Sequence, residues 1–340
     1  MTPGSSAKRL FSKWKWEAGF LCALAFWGYL GFLIVLPLLF MIFAESHWIL
    51  VLLRFAPPLS YLAGLALVSI AARIFKVRYF WQGAAAGLII VLTYYMGFQL
   101  HLSRVPAGGT LSVMSFNIHA GTGGEEAIGS FLAGSRCDII GLQEARKPLL
   151  VNLPDPVPKI AAMLPGYSLA RGGSRGELAT LSRYPIVSFE EHPLDDLCMC
   201  TEAVIDIRGR KLRFLNVHVI TGDPKGILKG ADIRQRLVLT ARTRSVQAEA
   251  LHTLISTGIL PVVIAGDFNS PPDSGLHRIM RSNLKDSFSE AGNGFGYTYR
   301  ANLPLWRIDY VWASGLNTTR CRTLNPGLSD HKAVEVLFDF

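Results

Sequence analysis

Between Ala18 and Ala44 the chain carries no charged residue and is almost wholly apolar. A helix rises about 1.5 Å per residue, so a run of this length can cross a hydrocarbon core about 30 Å thick. A cleaved leader would have a shorter apolar core with a small-x-small site behind it. No convincing site follows, and more apolar segments do. Ala56 to Ala72, continued through Ile74 and Phe75, reads as a second span, and Trp81 to Leu100 as a third. Glu45 to Phe55, with Trp48 and Arg54, reads as an interfacial segment between the first two. The expectation is a membrane region over residues 1–102, with spans at about 18–44, 56–75 and 81–100.

The charges say which way such a region runs. Residues 1–100 hold eight Lys and Arg against Glu17 and Glu45, a net of +6; the rest hold 26 against 23, a net of +3, and the two make the +9 of the whole chain. Lys8, Arg9, Lys13 and Lys15 precede the first span, and Arg73, Lys76 and Arg78 lie between the second and third. Arg54 is alone in the opposite loop. Basic loops stay in the cytoplasm, so the sequence predicts a multi-pass inner-membrane protein. Its partner is the lipid bilayer, and everything after His101 lies outside the cytoplasm. No segment points to a protein partner. Because the larger part of the chain is nearly balanced, the basic total is no footprint for nucleic acid. The five cysteines are odd in number and show no zinc spacing, which makes them structural.

Residues 103–110 read as a linker, after which strands and helices alternate. Strands are expected at Leu111–Ile118, Asp138–Gln143, Tyr167–Ala170, Leu178–Ser182, Ile186–Phe189, Pro261–Ala265, Ile308–Trp312 and Ala333–Phe338. Thr201–Ile207 and Lys211–Val219 read as a hairpin across Arg208-Gly209-Arg210. Helices are expected at Glu125–Gly134 and, with Asp232 as its N-cap, at Asp232–Thr257.

Polar residues recur where these strands end. In Gly266-Asp267-Phe268-Asn269 an acid and an amide stand two residues apart after an apolar strand, so both side chains can meet at one point. On its own this tetrapeptide serves equally as an Asx turn. Asn117 and His119, Gln143 and Glu144, Asn216 and His218, Asp309, and Asp330 with His331 repeat the pattern. Strand ends gather at one edge of a sheet, so these residues can share a cleft. No Ser or Cys nucleophile sits in a defined elbow, and no glycine-rich phosphate loop is present. Hard oxygen ligands, histidines and amide donors suit Mg²⁺-assisted attack of water on a phosphate ester.

These stretches resemble the motifs of the endonuclease/exonuclease/phosphatase superfamily, the DNase I-like fold. The matches are Ser115-Phe116-Asn117-Ile118, Leu142-Gln143-Glu144, Leu181-Ser182-Arg183-Tyr184-Pro185-Ile186, Asn216-Val217-His218, Gly266-Asp267-Phe268-Asn269, Arg307-Ile308-Asp309-Tyr310-Val311 and Ser329-Asp330-His331. They stand in the family's order over residues 110–340, and the apolar N-terminus resembles that of bacterial membrane-anchored members. The resemblance implies an α/β fold, a four-layer β-sandwich flanked by helices. It implies Mg²⁺, with Mn²⁺ as the alternative, held by Glu144 with Asn117 and Asp330 nearby. It makes Asp267 the group that orients or deprotonates the attacking water. Asn269 and His218 would hold phosphoryl oxygens, and His331 would contact the scissile phosphate with Asp309 fixing its ring. Glu177 would do the same for His218, in a looser match.

Two departures narrow the substrate a little. Asn117 is followed by Ile118-His119 rather than the Asn-Gly of abasic-site endonucleases, and the Cys-Asp-Arg of inositol phosphatases is absent. Thr221–Arg236, with Lys225, Lys229, Arg234 and Arg236, reads either as a substrate loop or as a solvated loop and helix start. The reading is a membrane-anchored phosphodiesterase for a lipid head group or nucleic acid; the alternative is a non-catalytic module that keeps the fold.

Overall fold

A computed structural model describes residues 3–43, 45–102, 109–146, 155–174, 176–196, 198–221, 232–256, 258–303 and 305–340. Residues 103–108 of the linker expected at 103–110, and the Lys225 and Lys229 stretch, lie outside the described residues; Thr110 already belongs to the first strand. The chain forms two compact units. One comprises Met1–Ala44 and Ala56–Phe98; the other joins Glu45–Phe55 to Gln99–Phe340.

The first unit is helical: α1 (Pro3–Phe43), α3 (Pro58–Ile74) and α4 (Phe80–Ile90). Beyond α4 the helix widens by one residue per turn over Val91–Tyr95, with Met96 N–H bonding Val91 C=O at 2.8 Å. Close packing depends on missing side chains: a Cβ on Gly87 would stand 2.6 Å from Leu30. Tyr29 donates to Tyr61 C=O at 2.8 Å, and Tyr95 to Leu33 C=O at 2.9 Å. Elsewhere α1 exposes Leu24, Ile34, Leu38 and Met41.

The three expected spans reduce to one clear one among the described residues. Lys13–Phe43 contains an 18-residue stretch of mean hydropathy 2.3 and has the length to cross a membrane. α3 has 17 residues, and α4 has 11 with a five-residue extension. Both fall short of the roughly 20 residues an upright span takes. The reason is local: Pro58 and the Arg73–Arg78 loop delimit α3, and Gly97 ends the apolar run that follows Trp81.

The second unit is an α/β sandwich. One six-stranded sheet runs β11-β12-β1-β2-β4-β3 and the other β5-β6-β7-β8-β10-β9. In chain order these are β1 (Thr110–Asn117), β2 (Ile139–Gln143), β3 (Ser168–Gly172), β4 (Leu178–Ser182), β5 (Ile186–Pro193) and β6 (Met199–Ile207). Then come β7 (Arg210–His218), β8 (Val262–Asp267), β9 (Lys285–Asp286), β10 (Asp309–Ser314), β11 (Asn317–Leu324) and β12 (Ala333–Asp339). The hairpin turn falls at Arg208-Gly209, both with positive φ, the geometry that matches strand twist. The sequence signals for β9 and β11 were too weak to anticipate. β9 has two residues, and β11 is an edge strand whose Arg320 and Arg322 face out to hold Glu335.

Alternation along the strands makes the layers. Leu111, Val113, Phe214, Val263 and Val336 fill the space between the sheets. Met114, Phe116, Ile140 and Leu142 point the other way, onto Ile128 and Leu132 of α5 (Glu125–Ser135) and Ile160 of α6 (Val157–Ala162). On the far face Leu215, Ile264 and Trp312 meet Leu251 and Ile255 of α7 (Ile233–Ser256) and Leu276 of α8 (Gly275–Met280). The result is helix, sheet, sheet, helix, as the resemblance implies.

The segment ahead of α3 belongs to this unit. α2 (Trp48–Arg54) buries Val51 and Arg54. Glu45 Oε1 accepts from Arg54 Nη1 at 2.6 Å and from the Gly275 N–H at the start of α8 at 2.7 Å. A Cβ on Gly275 would stand 2.3 Å from Glu45 Oε2, so a larger residue there would push the carboxylate out of this position. Trp306 Nε1 donates to Phe55 C=O at 3.2 Å. The segment read from the sequence as interfacial packs on this unit, with Glu45 and Arg54 paired and buried, and keeps Ile49 and Leu52 exposed.

Candidate active site

The parallel pairs β1–β2 and β7–β8 end at the same edge of the sandwich, where β10 and β12 begin. Asn117 ends β1, Glu144 follows β2, His218 ends β7 and Asp267 ends β8. Asp309 opens β10, and His331 stands two residues before β12. The register sets His218 and Asp309 opposite Asp267 on its two neighbouring strands. Asn117 comes from the other sheet, and its Nδ2 spans the gap: 3.1 Å to Asp267 Oδ2 and 3.3 Å to Glu144 Oε1.

Asp267 is buried, accepting from the Asn269 N–H at 2.8 Å as well as from Asn117. Desolvation, then the neighbouring Asp309 charge, pushes its carboxyl up to about 6 against the pull of His331 and His218. Asp309 holds His331 Nδ1 at 2.9 Å, and His331 Nε2 lies 3.7 Å from Asp267 Oδ2. Burial alone would lower His331, but Asp309 and then Asp267 outweigh it and push the imidazole up to about 10. The two flanking carboxylates thus favour the imidazolium form of His331, while burial makes Asp267 easier to protonate than an ordinary carboxylate. The backbone N–H groups of Ile308 and Asp309 both bond Thr298 Oγ1, which fixes where β10 begins.

His218 Nε2 is buried without a hydrogen-bond partner, 3.9 Å from Glu144 Oε1 and 3.8 Å from Asp267 Oδ2. Among the described residues this nitrogen has no partner, so a water or a phosphoryl oxygen could take that place. Three non-glycine residues here take left-handed backbone: His119 (φ 46°), Glu144 (φ 46°) and Asn269 (φ 48°). Each costs on the order of 1–3 kcal/mol and aims its side chain off the strand end.

The sequence-selected residues fall into place unevenly. Asp267, Asp309, His331, His218, Asn117 and Glu144 converge. Asn269 reaches the cleft, with Nδ2 on Val219 C=O at 2.9 Å. Asp330 also lines the cleft, but its Oδ1 meets His119 Nδ1 at 2.9 Å. Asn117 stands as a donor: its Oδ1 accepts from the His119 N–H at 3.0 Å and its Nδ2 faces the carboxylates. Glu177 accepts from the Ser174 N–H, and the described carboxylates within reach of the His218 ring are Glu144 and Asp267. Gln143 and Asn216 are bonded to each other at 2.7 Å as a buried bridge between the sheets.

The cleft, of about 390 Å³, is lined by His119 as the sequence leads one to expect, and also by residues that the sequence does not single out: Phe55, Arg244, Tyr299 and Trp306. Arg244 had a signal. It lies on the buried stripe Ala241, Arg244, Ala248, Leu251, Ile255 of α7, where a guanidinium stands out among apolar neighbours. It is buried, with Nε donating to Ile220 C=O at 3.1 Å. Phe55 had none, because nothing local links it to residues some 190 positions away.

An α/β sandwich that gathers carboxylates, imidazoles and amides at one end has the architecture of a hydrolase. The Endonuclease/Exonuclease/phosphatase family model matches residues 114–331, more than half of the chain. The chain belongs to that family. Its members act as phosphoesterases and nucleases and are generally dependent on divalent metal. Among solved structures, the mannosyl-6-phosphatase of Bacteroides thetaiotaomicron VPI-5482 is 20% identical at a TM-score of 0.53, covering 68% of this chain and 100% of its own. A humanized Danio rerio TDP2 is 16% identical at 0.54, covering 68% and 99%. An endonuclease/exonuclease/phosphatase family protein from Leptotrichia buccalis is 14% identical at 0.53, covering 68% and 100%. At these identities the likeness is one of fold. No curated protein sequence matches the chain.

Proposed function

We propose that the protein is a membrane-anchored, Mg²⁺-dependent phosphodiesterase that acts outside the cytoplasm on a lipid head group or nucleic acid. The observation that carries the chemistry is the bridge Glu144–Asn117–Asp267 across the two sheets, beside the Asp309–His331 pair. Glu144, with Asp330 and Asn117 nearby, would hold Mg²⁺ or Mn²⁺, which supplies positive charge to a phosphoryl oxygen. Asp267, Asp309 and His331 also offer ligand atoms within 4.8 Å of one another. A protonated His331 already held by Asp309 disfavours a cation there, and Glu144 is the better carboxylate.

The protein's own groups do the rest. Asp267 is ionised at neutral pH and takes the proton of the attacking water. Its position near 6 suits a base working near neutrality. His331, held protonated by Asp309, donates to the oxygen where charge develops. Asn117 orients Asp267. His218 Nε2 and Asn269 face the phosphoryl oxygens. Asp267→Asn and His331→Ala in the full chain should each lower kcat on bis(p-nitrophenyl) phosphate by about two orders of magnitude or more. Near-normal turnover in both would sink the assignment.

The topology rests on two supports. Lys8, Arg9, Lys13 and Lys15 precede the one clear span. Glu45–Phe55, directly after that span, belongs to the same unit as Gln99–Phe340. If α1 crosses with its basic end inside, the catalytic unit lies outside, and α3 and α4 must together cross an even number of times. The proposal keeps the multi-pass form. A phosphatase reporter fused after Phe340 should be active in intact cells; a fluorescent signal from a cytoplasm-dependent reporter there would overturn it.

A further inference from the structure

We propose that Phe55 is a specificity-determining residue: with Tyr299 and Trp306 it makes the wall on which a phospholipid-type substrate lays the apolar chain attached to its phosphate. The proposal rests on the phosphodiesterase reading and assigns its substrate class.

A line of rings leads away from the reacting edge. Tyr299 lies 4.9 Å from the His331 imidazole, centroid to centroid, and Trp306 lies 6.1 Å from Tyr299. Trp306 Nε1 then holds Phe55 C=O at 3.2 Å. All three rings line the same cleft as Asp267 and His331. A ligand bound there would set its phosphate on the polar edge and run its apolar part along the rings. Beneath Phe55 lies Arg244, whose guanidinium carbon is 5.0 Å from the ring centroid, so a single positive charge backs the wall.

The wall is built rather than incidental. Phe55 is half-buried, and the residues on its N-terminal side are locked in place. Arg54 is buried, bonded to Glu45 at 2.6 Å and 3.7 Å from Asp273. Glu45 in turn caps the Gly275 N–H. This effort fixes the place of one aromatic ring that comes from outside the continuous sandwich sequence.

Among the described residues, the charge of the cleft favours lipid over nucleic acid. The described lining carries one guanidinium, Arg244, and the imidazoles of His119 and His331, against the carboxylates of Glu144, Asp267 and Asp330. A polyanion is held by several phosphate contacts from Lys and Arg, which the described lining does not supply. A phosphate with an apolar tail needs one charged locus and an apolar surface, and both are present. Phe55 also stands three residues before Pro58, where an apolar helix begins in a chain whose α1 exposes apolar side chains.

The test compares methylphosphonate with octylphosphonate, read by titration calorimetry on the full chain in detergent with Mg²⁺. Octylphosphonate should bind wild type more tightly, and Phe55→Ala should cut that preference about tenfold, the scale of losing a partly buried aromatic side chain. Phe55→Leu, which keeps apolar area, should retain most of it and controls for folding. No octyl preference in wild type, or an unchanged preference in Phe55→Ala, overturns the proposal. A single-stranded oligonucleotide that binds more tightly than octylphosphonate would also overturn it, in favour of nucleic acid. Intact octyl preference without turnover of any diester would instead sink the phosphodiesterase reading and leave the wall standing.

Discussion

The polar edge of the cleft and its aromatic wall are made in opposite ways. The edge comes from strand ends that sheet pairing brings together: Asn117, His218, Asp267 and Asp309 are each fixed by register with a neighbouring strand. The wall comes from pieces with no shared strand: Phe55 from between two apolar helices, and Tyr299 and Trp306 from the loop before β10. In the reading proposed above, the edge carries the chemistry and the wall the selectivity. Substitutions should therefore act on turnover at the edge and on stability and selectivity at the wall.

The largest effect expected on the wall side is from Glu45→Ala. It removes the carboxylate that pairs Arg54 and caps α8, leaving a buried guanidinium with weaker compensation. Breaking a buried pair from one side costs about 3–5 kcal/mol. For a unit of this size that is a fall in Tm of roughly 6–20 °C. A Tm within a degree of wild type would mean that Glu45–Phe55 is not docked, and the contrast between the two regions would lose its structural basis.

The same contrast explains what could be read from the sequence. Asp267 and Asn269 were legible because an apolar β-branched run ending in Gly-Asp-Phe-Asn fixes both the strand and the direction of its last side chains. Strands β1, β2, β7 and β8 were legible for the same reason, whereas the layers followed only from the family resemblance. Asn117 was found, but not its orientation, since only the His119 N–H decides which end of the amide faces the carboxylates. Glu45 and Arg54 read only as charges of an interfacial segment, because pairing between them and burial against α8 are tertiary facts. The second and third spans were overdrawn because hydropathy marks apolar composition and is blind to where a helix stops, at Pro58 and Ile74 for α3 and at the widened turn after Ile90. Arg244 could have been found as the one cation on an apolar helical stripe.

The central claim is that the edge hydrolyses a phosphodiester with a hard divalent cation. Its most direct test is turnover of bis(p-nitrophenyl) phosphate by the full chain, first stripped with EDTA and then given Mg²⁺ or Mn²⁺. The ligands proposed are oxygens, with no thiolate among them, so stripping should abolish turnover and either ion should restore it. Turnover that persists in fully stripped protein, or that returns with zinc alone, would contradict the account.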